Sequence, residues 1–243
     1  RLLGWRTPPQ AAGQAADFVI GQPSFTSTTS DFEGVTARTL CNSPRGLSGD
    51  SNRLYVADTS NHRVLVFSPL PDQTLAPATL VLGQPTANGN TPGQLNSPTS
   101  IASDGQELVV VGSNGVFDWA QPPTQNGEAP IQLATSANEV TAVALSARKL
   151  YVAKTFRGVE VFADSAAFAN DPLSPEVVLL APGAGVSGGL DAGRSALTSG
   201  LSAPLPGGGL IHQNQLPLGL SRWDAVLHNN QPADSISGTT GVR

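Results

Sequence analysis

The chain has no methionine, one cysteine, three histidines and only two lysines, Lys149 and Lys154, against eleven arginines. Each shortage closes off a class of chemistry. With Cys41 alone, no internal disulfide forms, and a tetrahedral zinc site of the thiolate type has no ligands to draw on. The bland reading of Cys41, just ahead of Asn-Ser-Pro, is a small part-buried residue where a loop meets a strand. Charged residues make up 13% of the chain, about half the usual share, and the net charge is −5. Phosphate backbones need clustered cations, and there is no such cluster, so nucleic-acid partners are excluded. No apolar run approaches the roughly 18 residues of a membrane-crossing helix; LVVV at 108–111 and VVLLA at 177–181 have strand length. The absence of methionine even at position 1 reads as a processed mature form or a piece of a longer protein.

What the chain does have is 26 glycines and 20 prolines set between short apolar runs, and a surface left to Ser, Thr, Asn and Gln. Glycine and proline in those positions punctuate turns. A surface so poor in charge is common among exported β-proteins, so the expected location is periplasmic, cell-surface or secreted.

The sequence also repeats. LCNSPRGLSGDSNRLYVA at 40–57 is echoed by LNSPTSIASDGQELVVV at 95–111, and ADFVIGQPSF at 16–25 returns as ATLVLGQPTA at 78–87. A β-rich unit of about 50 residues that recurs along a chain belongs to a propeller or a solenoid. The clearest copy reads as four strands: 44–48, Leu54–Ala57, Arg63–Phe67 and Ala78–Leu82, with a loop at 58–61. LYVA and VLVF are apolar at every position rather than alternating, which suits strands covered on both faces.

An aromatic closes the third strand throughout: Trp5, Phe67, Trp119, Phe162 and Trp223. The second strands begin at Leu54, Leu108, Leu150 and Leu210, always 11–13 residues earlier. Fixed strand pairs joined by elastic connections are what stacked blades require. Packing between blades accounts for the aromatics; the other reading, ligand stacking, requires exposed indoles. The expected fold is therefore an all-β propeller of four-stranded antiparallel blades in one domain, 1–243. It comprises a half blade at 1–25 and blades at about 40–87, 92–136, 138–182 and 200–238, about five in all, with a sixth in a longer intact protein. The Gly-rich stretch 181–209 reads as a long loop between blades.

LYVADTSNHRVLVF at 54–67, flanked by NSPRGL and VLGQP and accompanied by GQPSF and GQPTA, resembles the NHL repeat of exported bacterial propellers. The resemblance is strong over 40–87 and fades toward the C-terminus. It implies a propeller of five or six blades that binds ligands or partners on its loop faces. It also implies enzymatic relatives among six-bladed propellers, lactonases and lyases with a metal in the central channel. Within the repeat, Asp58 is expected to fix an Asx-turn, Asn61 to take a left-handed conformation, Arg63 to begin an exposed strand edge, and His62 to be a turn residue.

A channel metal needs carboxylates or histidines projecting from several first strands. The first strands read NSPRGLSG, NSPTSIAS, NEVTAVALS and LSAPLPGG, where Glu139 is the only acid; Asp58 is replaced by Gly112 and Lys154 in the next copies. His212 and His228 show no paired ligand spacing, and no GxSxG elbow, P-loop or strand-linked GxGxxG is present. The expectation is a non-enzymatic interaction or structural module that needs no cofactor and no metal, and that meets a protein partner through one loop face. Arg45 and Thr99, with Asn42 and Asn96 beside them, would stand at the channel mouth. Turn chemistry before proline is the alternative account of the two asparagines.

Overall fold

A computed structural model of the chain describes residues 1–135, 139–146, 148–155 and 158–179, together with the backbone of four strands between 202 and 237. The stretch 181–209 lies outside the described residues apart from Ser202–Pro204, as does His228; of His212 and Trp223 only the backbone is described.

Among the described residues the punctuated apolar runs form eighteen short strands. A two-stranded sheet, β1 (Leu2–Gly4) with β2 (Phe18–Ile20), opens the chain. Four four-stranded meanders follow. The first is β3 (Leu47–Gly49), β4 (Leu54–Asp58), β5 (Arg63–Phe67) and β6 (Leu80–Leu82). The second is β7 (Ser100–Ser103), β8 (Leu108–Gly112), β9 (Gly115–Trp119) and β10 (Ile131–Ala134). The third is β11 (Val140–Ser146), β12 (Lys149–Lys154), β13 (Gly158–Phe162) and β14 (Val177–Leu179). The last is β15 (Ser202–Pro204), β16 (Leu210–Asn214), β17 (Gly219–Trp223) and β18 (Ser235–Ser237). All pairings within these sheets are antiparallel.

The first strands β3, β7, β11 and β15 each pack beside the next, so the sheets stand side by side with these strands on the inside. Between sheets lie the apolar cores. In β4 and β5, Tyr55, Ala57, Val64 and Val66 face the following sheet and meet Ile101, Leu108, Val110 and Trp119. The alternate residues Val56, Leu65 and Phe67 face back onto Phe18 and Ile20 of the opening pair. A strand buried on both faces has no polar side to show, which is why LYVA and VLVF do not alternate. Each fully buried valine or leucine contributes about 1.5–3 kcal/mol relative to exposure, and such residues recur in the sheets of β3–β6, β7–β10 and β11–β14.

The leucine–aromatic spacing becomes a cross-strand pair. Leu54 stands opposite Phe67, Leu108 opposite Trp119, Leu150 opposite Phe162 and Leu210 opposite Trp223. Trp119 is buried and its indole N–H donates to the Glu128 carbonyl at 2.9 Å. Half-buried Trp5 makes the same bond nine residues on, to the Gln14 carbonyl at 3.2 Å.

Two elements were not read from the sequence. A short helix, α1 (Ser165–Asn170), occupies the connection after β13. Asp164 caps it by accepting the Ala167 N–H at 2.7 Å, and Phe168 on its buried side meets Phe162 edge-on with ring centroids 5.1 Å apart. The other is a single 3₁₀ turn, Thr59–Asn61, between β4 and β5.

Candidate functional site

The β4–β5 hairpin carries the residues most specific to the repeat, and its geometry corrects three expectations. Arg63 does not begin an exposed edge: it is wholly buried, because β6 and the loops at 36–39 and 87 close over it. Its Nε donates to Asp58 Oδ2 at 2.7 Å, one terminal nitrogen donates to the Thr36 and Thr39 carbonyls at 2.9 and 3.0 Å, and the other to the Ala87 carbonyl. Asp58 does not cap its own turn. Its Oδ1 accepts the Cys41 N–H at 2.8 Å, and Oδ2 also accepts from Asn61 Nδ2 at 2.9 Å. The left-handed residue is His62 (φ 52°), not Asn61, whose side chain is instead shared between Asp58 and Asp31. A turn ended by His62 leaves its Nδ1 free to accept the Ser97 N–H of the next blade at 3.1 Å.

A buried Asp–Arg pair is weak evidence for net stability by itself, but four of the five Arg63 N–H groups are bonded, and removal of either partner strands a charge. Its role is to weld the hairpin to two loops. The same position in the blade of β11–β14 carries the opposite sign. Lys154 at the end of β12 ion-pairs with Glu160 of β13 at 2.5 Å and donates to the Pro172 carbonyl at 2.7 Å, with both side chains about 5% exposed. In the blade of β7–β10 the pair is gone; Gly112 and Gly115 pair instead, and Asn114 bonds back to residues 93–96.

Cys41 is buried more deeply than the part-buried residue expected from the sequence. Its sulfur accepts the Ser43 and Ser60 N–H groups, both at 3.4 Å. Burial and then the adjacent Asp58 carboxylate push its thiol pKa up, which disfavours the nucleophilic thiolate.

The four proposed mouth residues sit at the entry to the innermost strands β3 and β7. Arg45 is exposed and makes no side-chain hydrogen bond or ion pair with the described residues, while its N–H bonds the Ala57 carbonyl. Thr99 occupies the equivalent position one blade on, and its N–H bonds the Val111 carbonyl at 2.8 Å. Gly46, beside Arg45, packs so closely that an added methyl would lie 3.1 Å from the Thr99 carbonyl, so the two positions are brought together. Asn96 is occupied in turn chemistry, with its N–H, carbonyl and Oδ1 all bonded locally. Asn42 is exposed and lines a cavity of about 200 Å³ with Arg1, Gln22 and Cys41. A second cavity, of about 390 Å³, lies at the other end of these strands between the turns 49–53 and 103–105. Among the described residues, no three His, Cys, Asp or Glu side chains converge as metal ligands.

Sequence reasoning passed over Gln22 and Gln84, which lie in the repeated Gly-Gln-Pro. Both are buried. Gln84 Nε2 donates to the Thr91 carbonyl at 2.7 Å and to the His62 carbonyl at 3.1 Å; Gln22 Nε2 donates to the Thr29 carbonyl at 2.8 Å. The glycines before them adopt φ of 81° with no room for a Cβ against Leu40 and Leu95. The signal was the recurrence of the whole tripeptide, when a turn needs only its glycine.

No curated protein matches the chain. Among solved structures it is similar to Myxococcus xanthus glutaminyl cyclase (12% identity, 78% of this chain and 68% of that one, TM-score 0.48). It is also similar to the WD40 domain of Toxoplasma gondii coronin (12%, 83% and 48%, TM-score 0.47) and to YCF48 bound to D1 peptide (12%, 77% and 54%, TM-score 0.46). The chain spans 48% of the computationally designed Ika8 protein and 48% of Kuenenia stuttgartiensis hydrazine synthase. The family model of the NHL repeat matches residues 42–67. That match falls on the blade whose hairpin Asp58 and Arg63 hold together, so the chain carries an NHL repeat at 42–67 within a β-propeller fold of four-stranded antiparallel sheets.

Proposed function

We propose that this propeller is a non-enzymatic interaction module of an exported or cell-surface protein, and that it meets a protein partner through the loop face at the entry to β3 and β7. The observation that carries the reading is Arg45, an exposed guanidinium beside Thr99 of the neighbouring blade, with no side-chain bond to any described residue. A planar five-donor cation held on a short, well-anchored strand suits a carboxylate or a row of carbonyls on a partner surface. The buried polar groups, by contrast, are spent on internal bonds: Asp58 and Arg63 on the hairpin, Lys154 on Glu160. An exported location fits the low charge and the lone, shielded thiol.

The test compares native chain with Arg45→Glu as immobilised baits against the exported fraction of the source organism. The expected result is a protein retained by the native chain and lost from the variant; equal retention removes Arg45 from the interface. Elemental analysis of the purified native chain is the companion measurement, and a stoichiometric bound metal would overturn the non-enzymatic reading.

A further inference from the structure

At the far end of β3 and β7 from Arg45, the β3–β4 and β7–β8 turns of adjacent blades flank the cavity of about 390 Å³. The two turns are built alike. Asp50 Oδ1 accepts the Asn52 and Arg53 N–H groups, both at 2.8 Å. Asp104 Oδ1 accepts those of Gln106 and Glu107 at 2.9 and 3.0 Å. Each carboxylate thus keeps a second oxygen that its turn does not use. The turns also meet, since a methyl added to Gly105 would lie 3.9 Å from Asp50 Oδ2. That oxygen is buried and makes no hydrogen bond; the Arg53 guanidinium stands 3.8 Å away, too far to donate to it.

The same place holds a second unused group, the Tyr55 hydroxyl. Tyr55 is wholly buried, with its ring packed among Ile101, Leu108 and Val110, and its oxygen has no hydrogen-bond partner among the described residues. Burial pushes its pKa up; after burial the groups that act on it are Arg53, Asp50 and Ser103, all of which line the cavity. The phenol is therefore a neutral hydroxyl set among the cavity wall, and folded interiors seldom leave such a group unpaired.

The charges decide what fits. A cation would be repelled by Arg53, and an anion by Asp50 and Asp104. A neutral group that both donates and accepts suits all three, and a hydroxyl does so. We propose that this cavity binds one monosaccharide unit, free or at the end of a glycan, through vicinal hydroxyls. One hydroxyl accepts from the Arg53 guanidinium and donates to Asp50 Oδ2, which turns a contact too long to bond into two bonds. Its neighbour on the ring meets the Tyr55 hydroxyl, and Asp104 Oδ2 accepts a third from the adjacent blade. Arg53, whose side chain is 28% exposed, lies against both Asp50 and Tyr55 and turns aside to admit the ring. The cavity volume falls in the range of small-ligand pockets, roughly 300–1,000 Å³. This site is separate from the Arg45 face, so either reading can fail alone.

The probes are common hexoses, pentoses and N-acetylhexosamines, each free and as its methyl glycoside, offered to the purified chain. Binding is read by saturation-transfer NMR and then by calorimetry. The expected result is saturable one-to-one binding of at least one sugar. Tyr55→Phe removes a single oxygen and keeps the ring in the core. It should weaken that binding about tenfold while the melting temperature of the unliganded chain stays level or rises, because an unpaired buried hydroxyl has gone. Arg53→Gln should weaken binding to a similar degree. Binding that the methyl glycoside retains supports the end of a glycan as the source, and binding confined to the free sugar supports the free molecule. No saturable binding of any probe, or binding that Tyr55→Phe leaves unchanged, overturns the proposal. So does a melting temperature several degrees lower in Tyr55→Phe, since the hydroxyl would then serve the fold itself.

Discussion

Asp118 gives the sharpest test of the structure, because its environment turns pH into stability. It lies on β9, 4% exposed, on the side that faces the next blade, with Ser165 Oγ 3.5 Å away and the Glu107 carboxyl beside it. Burial, and then the charge and hydrogen bond of Glu107, raise its pKa from 3.8 to about 7. The folded chain therefore keeps a proton that the unfolded chain has released. Stability is full below the unfolded value and is lost as pH rises through the folded one. At 1.36 kcal/mol per pKa unit the whole titration costs about 4 kcal/mol, and more than half of it falls between pH 5 and pH 8. Asp118→Asn keeps a donor for Glu107 and cannot ionise. Urea unfolding followed by tryptophan fluorescence at pH 5, 6, 7 and 8 should show native stability falling by about 2–3 kcal/mol and the variant staying nearly level, overtaking it by pH 8. A native chain equally stable at both ends of that range, or a variant that tracks it, would refute the shared-proton reading.

Two further outcomes follow from the welds between blades. Arg63→Ala and Asp58→Ala should each cost about 3–5 kcal/mol in chemical unfolding, and Arg63→Lys most of that, since one ammonium cannot reach four acceptors; a loss under about 1 kcal/mol would contradict the buried fork. Gly83→Ala should destabilise by about 1–3 kcal/mol, because φ is 81° and the new methyl would lie 2.8 Å from Leu95, and a neutral change would show that the turn is not strained by a side chain.

The apolar runs, the leucine-to-aromatic spacing and the returning Gly-Gln-Pro made the blades legible, because strand pairing and two-sided burial both act on residues close together in the chain. The hairpin's interior was not. Asp58, Asn61 and Arg63 were read as turn chemistry on a surface, since polar residues in a tight loop are ordinarily solvated. Their partners, Cys41, Thr36, Thr39 and Ala87, come from loops with no pattern of their own. Helix α1 was hidden for a similar reason: six residues, Ser-Ala-Ala-Phe-Ala-Asn, carry too little periodicity, and only the Asp164 cap and the buried Phe168 face make them a helix. The substitution of Lys154 for Asp58 was legible as a lost carboxylate; that Glu160 restores a pair of reversed sign depends on a cross-strand contact that no local pattern encodes.

That reversal bears on how near-identical hairpins find their own neighbours during folding. If β4 annealed to β13, Asp58 and Glu160 would bury two anions together; if β12 annealed to β5, Lys154 and Arg63 would bury two cations. Either mistake replaces an attraction by a repulsion in a place that water cannot reach. Charge thus serves as an address label on modules that are otherwise interchangeable, and it sets the blades of β3–β6 and β11–β14 apart.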